Sequence, residues 1–168
     1  MFLLNEGRTV LKYMINQNDA LIVVDVQRDF CPGGALPVPE GDRVIPTLNE
    51  YIKIFMEAKA RIYATRDWHP KNHISFKAYG GLWPPHCIQE SEGAEFHPDL
   101  KLLGDVKVIS KSTSPLRESY SGFDVTELGE ELKKDGVKRI FVGGLATDYC
   151  IKNTVLDALK LGFEATLL

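Results

Sequence analysis

Residues 20–26 read ALIVVDV, a short apolar run that is rich in β-branched side chains and carries Asp25 near its end. A run of this kind is typical of a strand buried on both faces, as the strands of parallel sheets are. A lone carboxylate in such a run costs free energy unless it is paired, hydrogen-bonded or protonated. The segment therefore predicts a buried strand, with Asp25 either beside a partner or capping the loop that follows.

Helical and strand patterns alternate along the rest of the chain. A helix with one buried face is predicted at 44–58, where apolar residues recur at three- and four-residue steps: Val44, Leu48, Ile52, Phe55 and Met56. Further strands are predicted at 61–65, 105–110, 139–142 and 163–168, further helices at 124–135 and about 148–162, and loops at 31–41 and 66–98. This order predicts an α/β fold with a three-layer, doubly wound, Rossmann-like parallel sheet. Ligands of such sheets bind at the carboxyl ends of the strands.

The composition indicates one globular domain without a polymeric partner. The 168 residues are 44% apolar, and a net charge of −3 gives no basic surface for nucleic acid or an anionic membrane. Three unevenly spaced cysteines (Cys31, Cys87 and Cys150) argue against a disulfide framework and favour a reducing cytoplasm. Polar residues interrupt the first eighteen positions too often for an export signal, and no apolar run is long enough to span a membrane.

Two residues near later strands could supply nucleophilic chemistry. Cys150 falls in the first turn of the helix predicted after the fourth strand, where unpaired amides and the helix dipole favour a thiolate and could hold an oxyanion. Lys111, just past the third strand, could provide the positive charge that activates the thiol. Taken singly, a buried cysteine that acts as a small hydrophobic residue and a solvated lysine are the commoner explanations.

The long loop after the second strand contains a possible set of metal ligands. The segment TRDWHPKNH places Asp67 and His69 on one side of an extended chain, and WPPHC adds His86. One carboxylate and two imidazoles suit zinc, and also iron or manganese, with coordination positions left for water or substrate. His73 is a further candidate, although an exposed loop histidine is the more common explanation for it.

Five segments, taken together and in order, make the chain resemble the nicotinamidases of the isochorismatase-like hydrolase superfamily. They are DVQRDF, TRDWHPKNHISF, WPPHCIQ, the region of Lys111 and GLATDYC. The resemblance extends from about Ala20 to the last residue. It implies an isochorismatase-like fold, a catalytic triad of Asp25, Lys111 and Cys150, and a divalent metal ion, zinc first and iron or manganese as alternatives, bound by Asp67, His69 and His86.

The resemblance also implies a reaction: hydrolysis of nicotinamide to nicotinate and ammonia through a thioester on Cys150, within NAD salvage. The backbone amides of Ala146 and Cys150 would hold the oxyanion, and the peptide bond between Leu145 and Ala146 would be cis. The substrate ring would lie between aromatic side chains, namely Phe30, Trp68 and Trp83.

The ends of the chain depart from the family pattern. Residues 1–18 match nothing and are expected to form a weakly ordered arm or an outer helix, whereas residues 19–168 form the hydrolase domain. That domain lacks a last helix and strand found in the family, which would expose a strand edge and invite instability or association, including homo-oligomerisation. Two alternatives remain: another hydrolase of this scaffold, such as an isochorismatase or a carbamoyl amidohydrolase, without the metal, and a truncated, inactive or purely binding domain.

Overall fold

The computed structural model describes residues 15–168, and its centre is a parallel sheet of five strands. In sheet order these are β3 (Val106–Lys111), β2 (Arg61–Asp67), β1 (Asp19–Val24), β4 (Arg139–Gly144) and β5 (Glu164–Leu167). All four strand pairings are parallel, with Val24 opposite Thr65 on one side and Gly144 on the other. The predicted α/β sheet is therefore confirmed.

Within residues 15–168, three α-helices cover the two faces of the sheet: α1 (Ile45–Glu57), α2 (Leu128–Lys134) and α3 (Lys152–Lys160). Because side chains alternate along a strand, Leu21 and Val23 of β1 pack with α1, whereas Ala20 and Ile22 pack in the core that includes α2 and α3. The molecule thus has the three predicted layers, with two apolar cores separated by the sheet.

Several predicted boundaries were wrong. Helix α2 was expected from residue 124 but begins at Leu128, because Val125 adopts a left-handed conformation (φ +55°) that a helix cannot contain. Met56 was assigned to the buried face of α1 but is 39% exposed. Strands β2 and β3 run further than predicted, because Asp67 and Lys111 still pair with each other in the sheet ladder.

Residues 1–14 fall outside the described part of the chain, and most of the predicted N-terminal extension lies there. Between residues 15 and 168, no helix combines the length and the apolar character that a membrane crossing requires.

The order of the strands determines where a ligand site can form. From β1 the chain moves to one side for β2 and β3, and then crosses to the other side of β1 for β4 and β5. The direction of winding therefore reverses between β1 and β4, the position where open α/β sheets bind ligands at their carboxyl edge. Asp25, Asp67 and Lys111 lie at that edge, and Cys150 follows β4 there.

Candidate active site

The side chain of Lys111 lies at the centre of a buried polar cluster. Its Nζ is 3.0 Å from Oδ2 of Asp25 and 3.5 Å from Sγ of Cys150, and it also donates to Oδ1 of Asp67. Thr65 donates its hydroxyl to the other Asp25 oxygen at 2.7 Å. Lys111 is 1% exposed, so the sequence-based alternative of a solvated lysine is excluded. The structure brings together the three residues of the predicted triad.

Backbone geometry at the ends of β1 and β4 produces this arrangement. Gly144 has φ +141°, and a Cβ atom placed on it would lie 2.1 Å from the carbonyl oxygen of Val24, so only glycine permits the two strands to approach this closely. The peptide bond from Leu145 to Ala146 is cis, as predicted. A single π-helical turn, Thr147–Ile151, then carries Cys150 into the cluster.

The pKa shifts of the cluster describe a thiol, an ammonium ion and a carboxyl group that accepts protons readily. Burial raises the pKa of Cys150 well above its ordinary value, although Lys111 acts in the opposite direction. Burial likewise raises the pKa of Asp25 against the effect of Lys111. Burial alone would lower the pKa of Lys111, but Asp25 and Asp67 together raise it. Asp25 is thus suited to take a proton from Cys150 and return it later.

Asp67, His69 and His86 form a second set of converging side chains, whose potential ligand atoms lie within 4.8 Å of one another. Nδ1 of His69 is 3.1 Å from the carbonyl oxygen of His86, and Nδ1 of His86 is 2.8 Å from that of Pro84. Since a carbonyl only accepts, each Nδ1 carries the proton and each Nε2 presents a lone pair. Nε2 of His69 is buried and has no hydrogen-bond partner within residues 15–168. This donor set fits a divalent metal ion.

His73 is close to this set, but its ring nitrogens are already engaged. Nδ1 is 2.7 Å from the hydroxyl of Ser75, and Nε2 is 2.9 Å from the carbonyl oxygen of Arg117. Its ring centroid lies 4.5 Å from that of His69. A ring nitrogen of His73 also lies within 4.8 Å of potential ligand atoms of His69 and Glu118. His73 thus stays a possible fourth ligand, and binding a metal ion would require it to give up one of these two hydrogen bonds.

Glu118 is a site residue that sequence reasoning missed. Its Oε1 accepts a hydrogen bond from Ser112 at 2.8 Å and lies 3.7 Å from Nε2 of His69. Burial raises the pKa of Glu118, but hydrogen bonds from the Ser112 hydroxyl and the Ser119 backbone N–H oppose burial and lower it below its usual range. A second carboxylate thus faces the imidazole pair. No motif in the sequence marks it, because it lies in an irregular segment after β3.

A cavity of about 230 Å³ opens beside these groups and is lined by both Cys150 and His86. This volume is below the roughly 300–1,000 Å³ of pockets for drug-sized ligands, so the cavity suits a small molecule. Aromatic rings and a short apolar loop form much of the wall, comprising Phe30, Trp83, Tyr120, Tyr149 and residues 36–39. The indole N–H of Trp83 donates to the hydroxyl of Tyr120 at 3.1 Å. Tyr120 and Tyr149 were not among the predicted aromatic residues.

Trp68 does not line this cavity, in contrast to Phe30 and Trp83. Its ring packs under the guanidinium of Arg66, 3.7 Å from the ring centroid, and against the core on the α1 side. The physical reason is that successive side chains of an extended segment alternate in direction, so the residue after Asp67 points away from the site. In this position Trp68 does not face the cavity, so the structure does not support the predicted contact between Trp68 and the substrate ring.

Comparison with known proteins agrees with this geometry. The profile of the isochorismatase domain family matches residues 19–168. A nicotinamidase of Escherichia coli (strain K12) is 41% identical over 170 residues, covering 89% of this chain and 80% of the relative. A pyrazinamidase of Pyrococcus horikoshii, solved in complex with zinc, is 59% identical, with a TM-score of 0.87 over 89% of this chain and 83% of that one.

A third relative was solved with a small molecule bound. The protein PnC1 of L. infantum, in complex with nicotinate, is 40% identical, with a TM-score of 0.84 over 90% of this chain and 79% of that chain. The family profile, the sequence relatives and the solved structures thus identify the same group of enzymes. The chain therefore belongs to the isochorismatase domain family and is an amidohydrolase of the nicotinamidase group within it.

Proposed function

We propose that this protein hydrolyses nicotinamide to nicotinate and ammonia, with Cys150 as the nucleophile. The observation that carries the proposal is the position of Cys150: its sulfur is 3.5 Å from the Lys111 ammonium, beside Asp25, and the residue lines a small aromatic cavity. The nicotinamidases among the relatives, and the nicotinate in one of the solved structures, support this choice of substrate. The reaction would serve NAD salvage.

Binding would place the substrate ring between the aromatic walls of the cavity. Phe30 and Trp83 flank the space, and apolar contacts with a flat ring favour burial of a pyridine. Asp67, His69 and His86 would hold a divalent ion, zinc in the first place and iron or manganese as alternatives. When bound, this ion supplies a Lewis-acidic anchor for the ring nitrogen.

The first half of the reaction would form a thioester. Asp25 accepts the proton of the Cys150 thiol as the sulfur attacks the carboxamide carbon, and Lys111 stays protonated and stabilises the negative charge. The amides of Ala146 and Cys150 would donate to the oxygen of the tetrahedral intermediate. Asp25 then gives its proton to the leaving nitrogen, the C–N bond breaks, and ammonia departs.

The second half would regenerate the enzyme. A water molecule attacks the thioester carbon and Asp25 accepts one of its protons, after which the C–S bond breaks. The proton returns to the sulfur of Cys150, and nicotinate leaves. Each turnover thus consumes one water molecule, and Asp25 transfers a proton in each half of the reaction.

Ammonia release from nicotinamide tests this proposal. We expect Cys150→Ala to lose about 10⁴-fold or more in kcat, as removal of a nucleophile does in other hydrolases. Cys31→Ala is the matched control, because Cys31 is also a buried free cysteine but does not line the cavity. Chelation should abolish turnover of the wild type, and added zinc, iron or manganese should restore it.

Two outcomes of the same assay would favour the alternatives. A folded wild type that ignores nicotinamide with metal present, but hydrolyses a carbamoyl compound or isochorismate without metal, would be another hydrolase of this scaffold. A folded wild type with no hydrolytic activity at all would be an inactive or purely binding member. Normal turnover by Cys150→Ala would remove the nucleophile assignment.

A further inference from the structure

The side chain of Gln27 is completely buried, and its amide group is fully occupied by two backbone segments. Its Nε2 donates to the carbonyl oxygens of Asp67 at 2.8 Å and of Ala94 at 2.9 Å. Its Oε1 accepts from the backbone N–H of Asp67, also at 2.8 Å. The side chain therefore forms hydrogen bonds with both the backbone C=O and the backbone N–H of Asp67, as a neighbouring strand would.

This contact replaces strand pairing where β1 ends. The ladder between β1 and β2 runs to Val24 opposite Thr65, and the N–H of Asp25 still donates to the carbonyl of Thr65 at 3.1 Å. At Asp25 the backbone turns away with φ +51° and leaves the ladder. Asp67 lies two residues beyond Thr65, so its backbone groups point toward the same side, where β1 no longer reaches.

On the opposite side of β2, strand pairing continues as far as Asp67. There the ladder with β3 continues to Asp67 opposite Lys111, and the N–H of Trp68 donates to the carbonyl of Lys111 at 3.1 Å. Without Gln27, two buried backbone groups of Asp67 would be unpaired on the β1 side, which is costly in a folded protein. A glutamine amide carries a donor and an acceptor in one plane and can therefore imitate a peptide group.

We propose that Gln27 is a positioning residue that fixes the backbone of Asp67, and thereby directs the Asp67 carboxylate toward both Lys111 and the two imidazoles. The inference rests on the proposed role of Asp67 as a metal ligand. The carboxylate accepts from Lys111, and its oxygen lies within 4.8 Å of the ligand atoms of His69 and His86. A shift of the Asp67 peptide would move this oxygen away from both the Lys111 ammonium and the two imidazoles.

The test compares the zinc affinity of folded proteins by competition with a chromophoric chelator. Gln27→Met keeps the length of the side chain and removes all three hydrogen bonds, and we expect it to bind zinc at least about ten-fold more weakly than wild type, as loss of an outer-shell partner does. Tyr63→Phe is the matched control. It removes one hydrogen bond, to Asp135, from a buried residue of β2, the strand that ends at Asp67, and should bind zinc as wild type does.

The outcomes separate this inference from the proposed function. Wild-type zinc affinity in folded Gln27→Met would overturn the positioning role and leave the metal site intact. No zinc binding by wild-type protein would overturn both. If Gln27→Met does not fold, Gln27→Glu takes its place, because it keeps the shape and the acceptor for the Asp67 N–H but, as a buried carboxyl group, offers one donor to two carbonyl oxygens. It should also bind zinc more weakly, and an unchanged affinity would equally overturn the inference.

Discussion

Charge compensation by Lys111 stabilises the buried polar cluster at the carboxyl edge of the sheet. Lys111 contacts the carboxylates of Asp25 and Asp67 and the sulfur of Cys150, and it is almost completely inaccessible to solvent. Buried charges persist only when they are paired, so removal of this ammonium takes a compensating charge away from both carboxylates. The same ammonium is also the group that favours ionisation of the thiol.

We therefore predict that Lys111→Met loses both activity and stability. The free energy of unfolding should fall by about 3–5 kcal/mol, as when one partner of a buried ion pair is removed, and kcat should fall by about 100-fold or more. Urea unfolding and ammonia release measure the two effects. Lys134→Met is the control, because the side chain of Lys134 is 74% exposed and pairs with Glu131 at the surface. Wild-type kcat in Lys111→Met would contradict the assignment.

The sequence predicted the polar residues at the strand ends well, because one rule of α/β sheets places them at a common edge. Asp25, Lys111 and Cys150 were singled out as candidates in this way, and the family resemblance then joined them into a predicted triad. Glu118 lies in a segment without periodicity, and Gln27 acts through hydrogen bonds whose partners are 40 and 67 positions away. No local pattern encodes such contacts.

At the scale of secondary-structure elements, Asp135 attaches the end of α2 to the sheet. It accepts hydrogen bonds from the hydroxyl of Tyr63 at 2.7 Å and from Lys107 at 3.2 Å, and it lies 3.4 Å from the guanidinium of Arg61. Burial opposes its charge, but Tyr63 and Lys107 lower the pKa of Asp135 below its ordinary value. The ionised carboxylate therefore stabilises the docking of α2 on β2 and β3.

This shift predicts how stability depends on pH. A carboxyl group with a lowered pKa in the folded state stabilises the protein fully above its unfolded pKa, about 3.9, and loses this contribution as the pH falls through the folded value. Asp135→Asn should therefore lower the urea midpoint at pH 7 and flatten its decline below about pH 4. Asp42→Asn, at an exposed position, should follow the wild-type curve. An unchanged acid dependence in Asp135→Asn would contradict this account.

Element types were easier to predict than their ends. Apolar patterns identified the regions of the strands and α-helices found in residues 15–168, since most of them bury one or two faces, whereas β5 is largely exposed. The late start of α2 was not predictable, because it depends on the left-handed conformation of a valine, which sequence patterns do not favour. The π-helical turn that carries Cys150 likewise depends on the tertiary position of β4.

At the scale of the whole molecule, the order of the strands brings residues that are distant in sequence to one site. Residues 25, 67, 111 and 150 are far apart along the chain, and the reversal of winding beside β1 brings them to one edge of the sheet. The aromatic wall comes from other connections, with Trp83 in the β2–β3 loop and Tyr120 after β3. The Cys150 thiol and the small aromatic cavity thus meet at the position where the direction of winding reverses.

The most direct test of this account is to trap the covalent intermediate. Wild-type protein turning over nicotinamide is quenched with acid, digested and analysed by mass spectrometry. The account predicts a nicotinoyl group in thioester linkage on the peptide that contains Cys150, absent from Asp25→Asn and removed by hydroxylamine. Steady ammonia release with no acyl group on Cys150, or with the group on another residue, would contradict it.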